Sequence, residues 1–421
     1  MPLRARLLSP QAPDWSSAMD ALRRQLAPAH GPHLLPPHFL KVILPKIGGH
    51  VALFAQEEQP ERTSGVGFLF PRGLDRAGRI YTLRFHALET PPPSPAALTA
   101  ALQELLPGRF HFYDPAAPHT FTPSSQPQDG VDIGRPSQAE ALAIQALYQR
   151  IWGSPPEQRY PADIHSQEFG LGASLVARVD GRVAGFLFGF LRFDGSPLPG
   201  DWEERFRGEL RLESQVMGVD PAFRGRGIGF LLKRTQARDA LRQGIRVVHW
   251  TADPLQFPNA ALNFARLGAV AFDFYPNHYP IHNQLNRAPA SRFELTWLVQ
   301  TRRAAQALAH PGPAPRLDLS RRPDVVRVNR GWRDLLLDAE APTIAVEIPA
   351  RWTQLQAEDP QEALAWRQAT DRLFLHYLGP EIGRYMVTGV GVAGERRFVV
   401  AQRVDPALLA RIGAPLDPVA G

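Results

Sequence analysis

LESQVMGVDPAFRGRGIGFLLKRTQ, residues 212–236, reads as a strand that hands the chain to a glycine-rich turn and then to a helix. Val216, Met217 and Val219 carry the end of the strand, and Asp220-Pro221 forces a turn. Arg224-Gly225-Arg226-Gly227-Ile228-Gly229 then opens a helix with Ile228, Leu231, Leu232 and Leu241 available to a core. Three alternating glycines let the backbone curl so that several N–H groups point into one cavity. A phosphate there meets those donors and the positive end of the helix dipole. Arg224 and Arg226 can add charge-assisted bonds to a diphosphate. The dinucleotide fingerprint G-x-G-x-x-G is absent, as is the Lys-Ser/Thr pair of the nucleotide-triphosphate loop. The plainer alternative is a helix-entry turn whose glycines only permit close packing; the strand before it and the amphipathic helix after it weigh against that.

Outward from this segment, the pattern gives a helix from Ser137 to Ile151, opened by Ser137 and Glu140 in capping-box spacing. Leu175 to Val179 and Val183 to Phe190 flank Asp180-Gly181, a two-residue hairpin signal. Leu210 to Val219 is a strand, Gly227 to Arg242 a helix, Val247 to Thr251 a strand, Asn259 to Leu267 a helix and Phe293 to Val299 a late strand. Residues 14–113 read in a similar order: a helix near Trp15 to Leu26, three strands (Val51 to Ala55, Gly65 to Phe70, Ile80 to Phe85), a helix from Pro95 to Leu106 and a strand from Phe110 to Tyr113. The Pro-rich runs 114–128 and 311–323 mark boundaries. The expected division is 1–130, 131–305 and 320–421. The last part carries a strand at Ile344 to Ile348, a helix from Pro360 to Tyr377 and two further strands, and is a candidate to complete the N-terminal unit. The fold class is α/β with a mixed sheet and helices on its faces.

With 421 residues and 44% hydrophobic content the chain can bury more than one core. No run approaches the roughly eighteen consecutive apolar residues of a membrane span, and the N-terminus has no signal-peptide core. A soluble cytoplasmic protein without a membrane partner is expected. The absence of Cys excludes disulfides, a thiolate nucleophile and Cys-based zinc sites. His30, His33 and His38 are grouped among prolines without metal-ligand spacing, so no metal site is expected. The charge of +6 is almost all Arg, with Lys only at 41, 46 and 233, and it is spread along the chain. That distribution argues against a nucleic-acid partner but suits an anionic ligand.

On these residues, the segment resembles motif A of the GNAT N-acetyltransferases, Gln/Arg-x-x-Gly-x-Gly/Ala, with Arg224, Gly227 and Gly229 on its positions. The strand end Met217-Gly218-Val219 looks like the strand whose backbone pairs with pantetheine in that family. Val247 to Trp250 looks like its fifth strand, and Asn259 to Gly268 like its helix ending in Leu-Gly-Phe. The resemblance covers about residues 131–299 and implies a GNAT acyl-CoA N-acyltransferase fold. Residues 14–113 look like a degenerate first copy of a tandem, with Leu88 to Ser94 standing where the glycine loop would be. Trp250 to Leu255, Asn259-Ala260, Tyr275, Tyr279, Asn283 and the C-terminal tail look like a group of GNAT acyltransferases, some of them similar to D-amino-acid N-succinyltransferases.

The resemblance implies an acetyl or succinyl group moved from acyl-CoA to the primary amine of a small molecule, an amino acid among the candidates, by direct attack in a ternary complex. Acetyl-CoA or another acyl-CoA is then a cosubstrate, with no cofactor held permanently, and a homodimer is compatible with the family. The coenzyme would be met by Met217, Gly218, Val219, Arg224, Gly225, Arg226, Gly227, Ile228, Gly229, Asn259 and Phe264, and the oxyanion by the backbone N–H of Val219 or Met217. Period-two alternation puts Glu213, Gln215, Met217 and Val219 on one strand face, so Glu213 is a candidate base, or else a strand-end surface residue. The family's usual acid, a Tyr, falls on Phe264, which cannot protonate a thiolate. Tyr275 and Tyr279 are the replacement candidates, or else pocket walls. Asn259 can cap its helix, bind pantetheine, or both. Asp253 holds the Pro254 turn or receives an ammonium. Arg292 and Arg266 are candidates for a substrate carboxylate. The competing class is a coenzyme-binding scaffold that has lost catalysis.

Overall fold

The Asp180-Gly181 pair turns as its residue types demand: both take positive φ, 51° and 71°, which matches the twist of the strands they join. The computed structural model describes residues 3–170, 173–193, 195, 197–279, 287–310 and 312–416. They fall into two compact units, Met1–Gly195 with Gly208–Leu232, and Ser196–Arg207 with Lys233–Gly421. The cuts therefore lie within the span expected to be one domain, not at 130 and 305–320.

The first unit holds two sheets of five strands. β1 (Leu3–Leu8), β2 (His50–Gln56), β3 (Thr63–Asp75), β4 (Gly78–Ala87) and β5 (Arg109–Tyr113) lie in sequence order. They pair antiparallel except β4 with β5, which run parallel across α3 (Pro95–Gln103). α1 (Trp15–His30) and α2 (Leu44–Lys46) precede β2. The second sheet of this unit is antiparallel throughout: β6 (Gln126–Gln128), β7 (Val131–Gly134), β8 (Leu175–Val179), β9 (Arg182–Phe193) and β10 (Leu210–Val219). α4 (Gln138–Trp152) precedes β8, and its capping box is complete: Ser137 Oγ accepts from Glu140 N–H, and Glu140 Oε2 accepts from Ser137 N–H at 2.8 Å.

In the second unit, α5 (Asp201–Arg205) comes first; α6 (Ile228–Arg242) enters it from Lys233 onward. β11 (Val247–Ala252) pairs with β13 (Ala290–Leu298), and β13 with β12 (Val270–Tyr279), all antiparallel. Between β11 and β12 lies α7 (Phe257–Ala260), continued by a π-turn over Ala261–Arg266. α8 (Arg302–Ala309) and the short strands β14 (Leu317–Asp318), β15 (Val326–Arg327), β16 (Asn329–Arg330) and β17 (Asp334–Leu335) follow. β18 (Thr343–Ile348), α9 (Trp352–Glu358), α10 (Pro360–Tyr377), β19 (Tyr385–Ala393), β20 (Arg396–Arg403) and α11 (Pro406–Gly413) end the unit.

The C-terminal part corrects an expectation. β19 pairs with β12 and carries β20 and β18 with it, so the tail extends the sheet of β12 and β13 rather than completing the N-terminal sheet. The unit closes around Trp202 of α5, fully buried among Val247, Val270, Met386 and the α11 residues Leu408, Leu409 and Ile412. Leu241, expected to face a core, is 39% exposed near the end of α6.

Candidate functional site

β10 does not keep its alternation. Glu213 pairs with Phe190 and Val216 with Phe188, three residues against two, which is a bulge. Glu213 therefore shares a face with Val216 and Gly218, not with Met217 and Val219, and the single-face expectation for Glu213, Gln215, Met217 and Val219 fails. A Cβ on Gly218 would lie 2.8 Å from the Ile151 side chain of α4, while Met217 and Val219 pack with Ile228, Leu231 and Leu232 of α6 on the other face.

Glu213 is buried and held by two cations. Arg192 Nη1 donates to its Oε2 at 2.9 Å and Lys46 Nζ to its Oε1 at 3.2 Å, with Arg192 and Glu213 at most 2% exposed. Gln215 Nε2 donates to the Tyr160 hydroxyl at 3.0 Å, and His38 Nε2 lies 3.1 Å from the same oxygen. Burial pulls His38 down to about 4.

Beyond Val219 the chain makes a short 3-10 turn, Pro221–Phe223. Asp220 fixes it by accepting from Ala222 N–H at 3.0 Å, and Arg150 donates to the other Asp220 oxygen at 3.0 Å. Gly225 and Gly227 follow with φ of 82° and 72°. A Cβ at either would meet nothing within 4 Å, so the requirement for glycine there is the left-handed backbone and not space. Leu231 N–H donates to the Gly227 carbonyl at 3.0 Å and closes the first turn of α6. Ile228 anchors that start in the core, and Arg224 and Arg226 are exposed beside it. The positive end of a helix of 15 residues and two exposed guanidiniums lie together here, a combination that favours an anion.

This geometry agrees with what the chain resembles. Residues 141–269 match the family model described as Acetyltransferase (GNAT) family. Over that span the chain is GNAT-like, an α/β fold with a mixed sheet. Enzymes of this family use acyl-CoA as cosubstrate. No curated protein sequence matches the chain. Among solved structures, the chain is similar to Arabidopsis thaliana Naa50 in complex with the bisubstrate analogue CoA-Ac-MVNAL, at 16% identity over 40% of this chain and 97% of that one, TM-score 0.30. It is similar to Drosophila melanogaster polyamine N-acetyltransferase, which forms N-acetylagmatine, at 17% identity over 40% and 99%, TM-score 0.30. The ribosomal-protein-S18-alanine N-acetyltransferase of Escherichia coli matches at 13% identity over 40% and 94%, TM-score 0.30.

The other candidate residues from the sequence lie in the second unit. Tyr275 and Tyr279 come together at the end of β12, with the His278 ring 5.1 Å from one and 4.4 Å from the other. The Tyr275 hydroxyl donates to Glu294 at 3.2 Å, and the Tyr279 hydroxyl lies 3.2 Å from Thr251 Oγ1. Asn259 is exposed inside α7, whose N-cap is Gln256, so the capping expectation for Asn259 fails. Phe264 is buried on the π-turn against Phe293, ring centroids 6.1 Å apart. Trp250 is buried edge-on to Trp297, 5.9 Å between centroids, and Lys233 Nζ lies 3.7 Å from the Trp250 ring centroid. Asn283 lies outside the described residues.

Asp253 holds its turn by accepting from Leu255 N–H at 3.0 Å. It also takes bonds from residues that the sequence did not nominate. Arg367 Nη2 reaches both of its oxygens at 2.9 and 3.0 Å, and Trp352 Nε1 donates at 3.0 Å, both from the C-terminal part. Arg292 Nη1 is 3.8 Å away. Burial works against the Asp253 charge, yet Arg367 and Arg292 hold its carboxyl below the usual range. Arg266, the other Arg candidate, donates to the His310 carbonyl instead. Among the described residues, no helix is long and apolar enough to cross a membrane.

Proposed function

We propose that this acyltransferase moves an acetyl or succinyl group from acyl-CoA to the primary amine of a small molecule, by direct attack within a ternary complex. The amine nitrogen forms the new bond to the thioester carbon, the carbon–sulfur bond breaks, and the thiolate takes a proton. The observation that supports this reading is the left-handed pair Gly225 and Gly227 at the open start of α6. In this reading the backbone N–H of Val219 or Met217 receives the oxyanion.

Tyr279 is the acid of this scheme. Its partner is the Thr251 hydroxyl, and that bond can run in either direction, whereas Tyr275 donates to a carboxylate. Tyr275 then acts by positioning. Glu213, with Lys46 and Arg192 on its two oxygens, anchors the bulge that sets the end of β10, and any proton it receives must pass through water. The N-terminal five-stranded sheet is the degenerate first copy in this reading, supported by the parallel β4–β5 pair joined through α3.

The test is thiol release from acetyl-CoA and from succinyl-CoA against a panel of L- and D-amino acids and polyamines. Turnover with a small amine supports the proposal. Coenzyme binding without turnover for any amine contradicts it and favours a scaffold.

A further inference from the structure

Two side chains bolt the β16–β17 hairpin to β18 in the second unit. Asn329 Nδ2 donates to the Gly331 carbonyl at 2.9 Å and to the Glu347 carbonyl at 3.0 Å, while its Oδ1 accepts from Glu347 N–H at 2.7 Å. Glu347 accepts from Gly331 N–H at Oε2, 3.0 Å, and takes Nε and Nη2 of Arg396 on its two oxygens. Gly331 turns the chain at φ 65°, a left-handed backbone that favours glycine. Asn329 and Glu347 are at most 9% exposed, so the hairpin is fixed from within and its arginines project from set positions.

Those arginines surround one cleft. Arg327, Arg330, Arg333 and Arg396 line a hollow of about 760 Å³ together with Asn329 and Asp334. Arg327 and Arg396 lie over the buried Phe398 ring, their central carbons 5.7 and 5.1 Å from its centroid, and Arg333 lies over Trp332 at 4.5 Å. A guanidinium held over a ring keeps its edges for hydrogen bonds. Arg396 is turned toward Glu347, and Arg327 donates Nη2 to the Leu319 carbonyl at 3.1 Å. Among the described residues, no acceptor bonds the guanidinium of Arg330 or Arg333. Four cations thus face Asp334, the one carboxylate among the described lining residues, with Glu347 behind Arg396. Like charges around one hollow repel, and an anion among them relieves that repulsion. On the other side of the hairpin a hollow of about 690 Å³ sets Asp359 and Glu362 beside Arg330 and Arg333, so the positive excess belongs to the first hollow.

We propose that this cleft binds a small polyanion, a molecule with two or more carboxylate or phosphate groups, on Arg327, Arg330, Arg333 and Arg396. Guanidiniums accept both groups in the same bidentate manner. The four converge on one hollow of metabolite size, which suits a compact ligand and not a polymer that needs a track of charge. The site lies wholly within the second unit and stands whether or not the chain transfers acyl groups.

The experiment titrates the full chain by calorimetry with citrate, with inorganic triphosphate and with poly-glutamate. The start of α6 also favours an anion, so Gly227→Val is run beside the parent. Citrate or triphosphate should bind the parent and Gly227→Val alike. The double variant Arg330→Gln with Arg333→Gln should bind at least about tenfold more weakly. Asp334→Asn, which removes the carboxylate of the lining, should bind about threefold more tightly. All three replaced side chains are exposed, so melting midpoints should match the parent. Binding of citrate alone, or of triphosphate alone, supports the site and assigns its ligand to that chemistry. No binding of either small anion, equal affinity in the parent and the double variant, a loss confined to Gly227→Val, or binding of poly-glutamate alone overturns it. Should the double variant fail to fold, Asp334→Asn decides: unchanged or weaker binding there overturns the site.

Discussion

Nη1 of Arg192 sits 2.9 Å from Oε2 of Glu213, and neither side chain is more than 2% exposed. A buried pair is costly to break because the survivor stays charged without its partner. Arg192→Ala is expected to destabilise the first unit by about 3–5 kcal/mol, read as a lower urea midpoint. Glu213→Gln should also lower the midpoint while cutting kcat less than tenfold; losing a general base typically costs about 100-fold or more. A kcat loss of that size with an unchanged midpoint would assign Glu213 to proton transfer.

Tyr279→Phe is expected to lower kcat about 100-fold with little change in thermal midpoint, since only one hydroxyl leaves a partly exposed pair with Thr251. Tyr275→Phe, which strips Glu294 of a donor, should move the midpoint more than kcat. Steady-state rates beside melting curves separate the two tyrosines.

His38 and His165 set an acid limit on the first unit. Burial pulls each down to about 4 from 6.5, the latter against the charge of Asp163. A lowered imidazole contributes stability above its unfolded value that is lost as pH falls from 6.5 through about 4. Each histidine should cost the fold roughly 2 kcal/mol between pH 7.5 and pH 5, and His165→Gln, which can still reach Ser174, should flatten that slope in urea titrations.

Asp371 has the opposite sign. Its folded value is raised from 3.8 to about 6, so the stability it contributes is present below about pH 4 and lost as pH rises through 6. Asp371→Asn is expected to stabilise the second unit by roughly 2 kcal/mol at pH 8 and to make no difference near pH 4. Melting curves at the two pH values check it.

The elements with strong local signals were legible in the sequence. Ser137 and Glu140 announce α4, Asp180-Gly181 announces its hairpin, and the three glycines announce the entry to α6, because each depends on neighbours in the chain. The Glu213 bulge is not local: it exists through pairing with β9, and the alternating pattern of Glu213, Gln215 and Met217 conceals it. Only the tyrosines of β12 stand out in the sequence, since Pro276, Asn277 at φ 46° and two register shifts break its period. Arg192, Lys46, Arg367 and Asp371 were missed because their partners lie far along the chain, and Arg is too abundant to nominate one. The rarity of Lys was a usable signal: Lys46 and Lys233, two of only three, are both taken up by specific contacts.

Titration of coenzyme A into the intact chain, parent beside Gly227→Val, probes the phosphate grip at its root. A side chain at φ 72° meets no neighbour, so the variant should fold with a loss of about 1–2 kcal/mol from backbone strain. One-to-one binding to the parent and at least about tenfold weaker binding to the folded variant are expected. No heat with the parent, or equal affinity in the two proteins, would show that the start of α6 does not hold the donor.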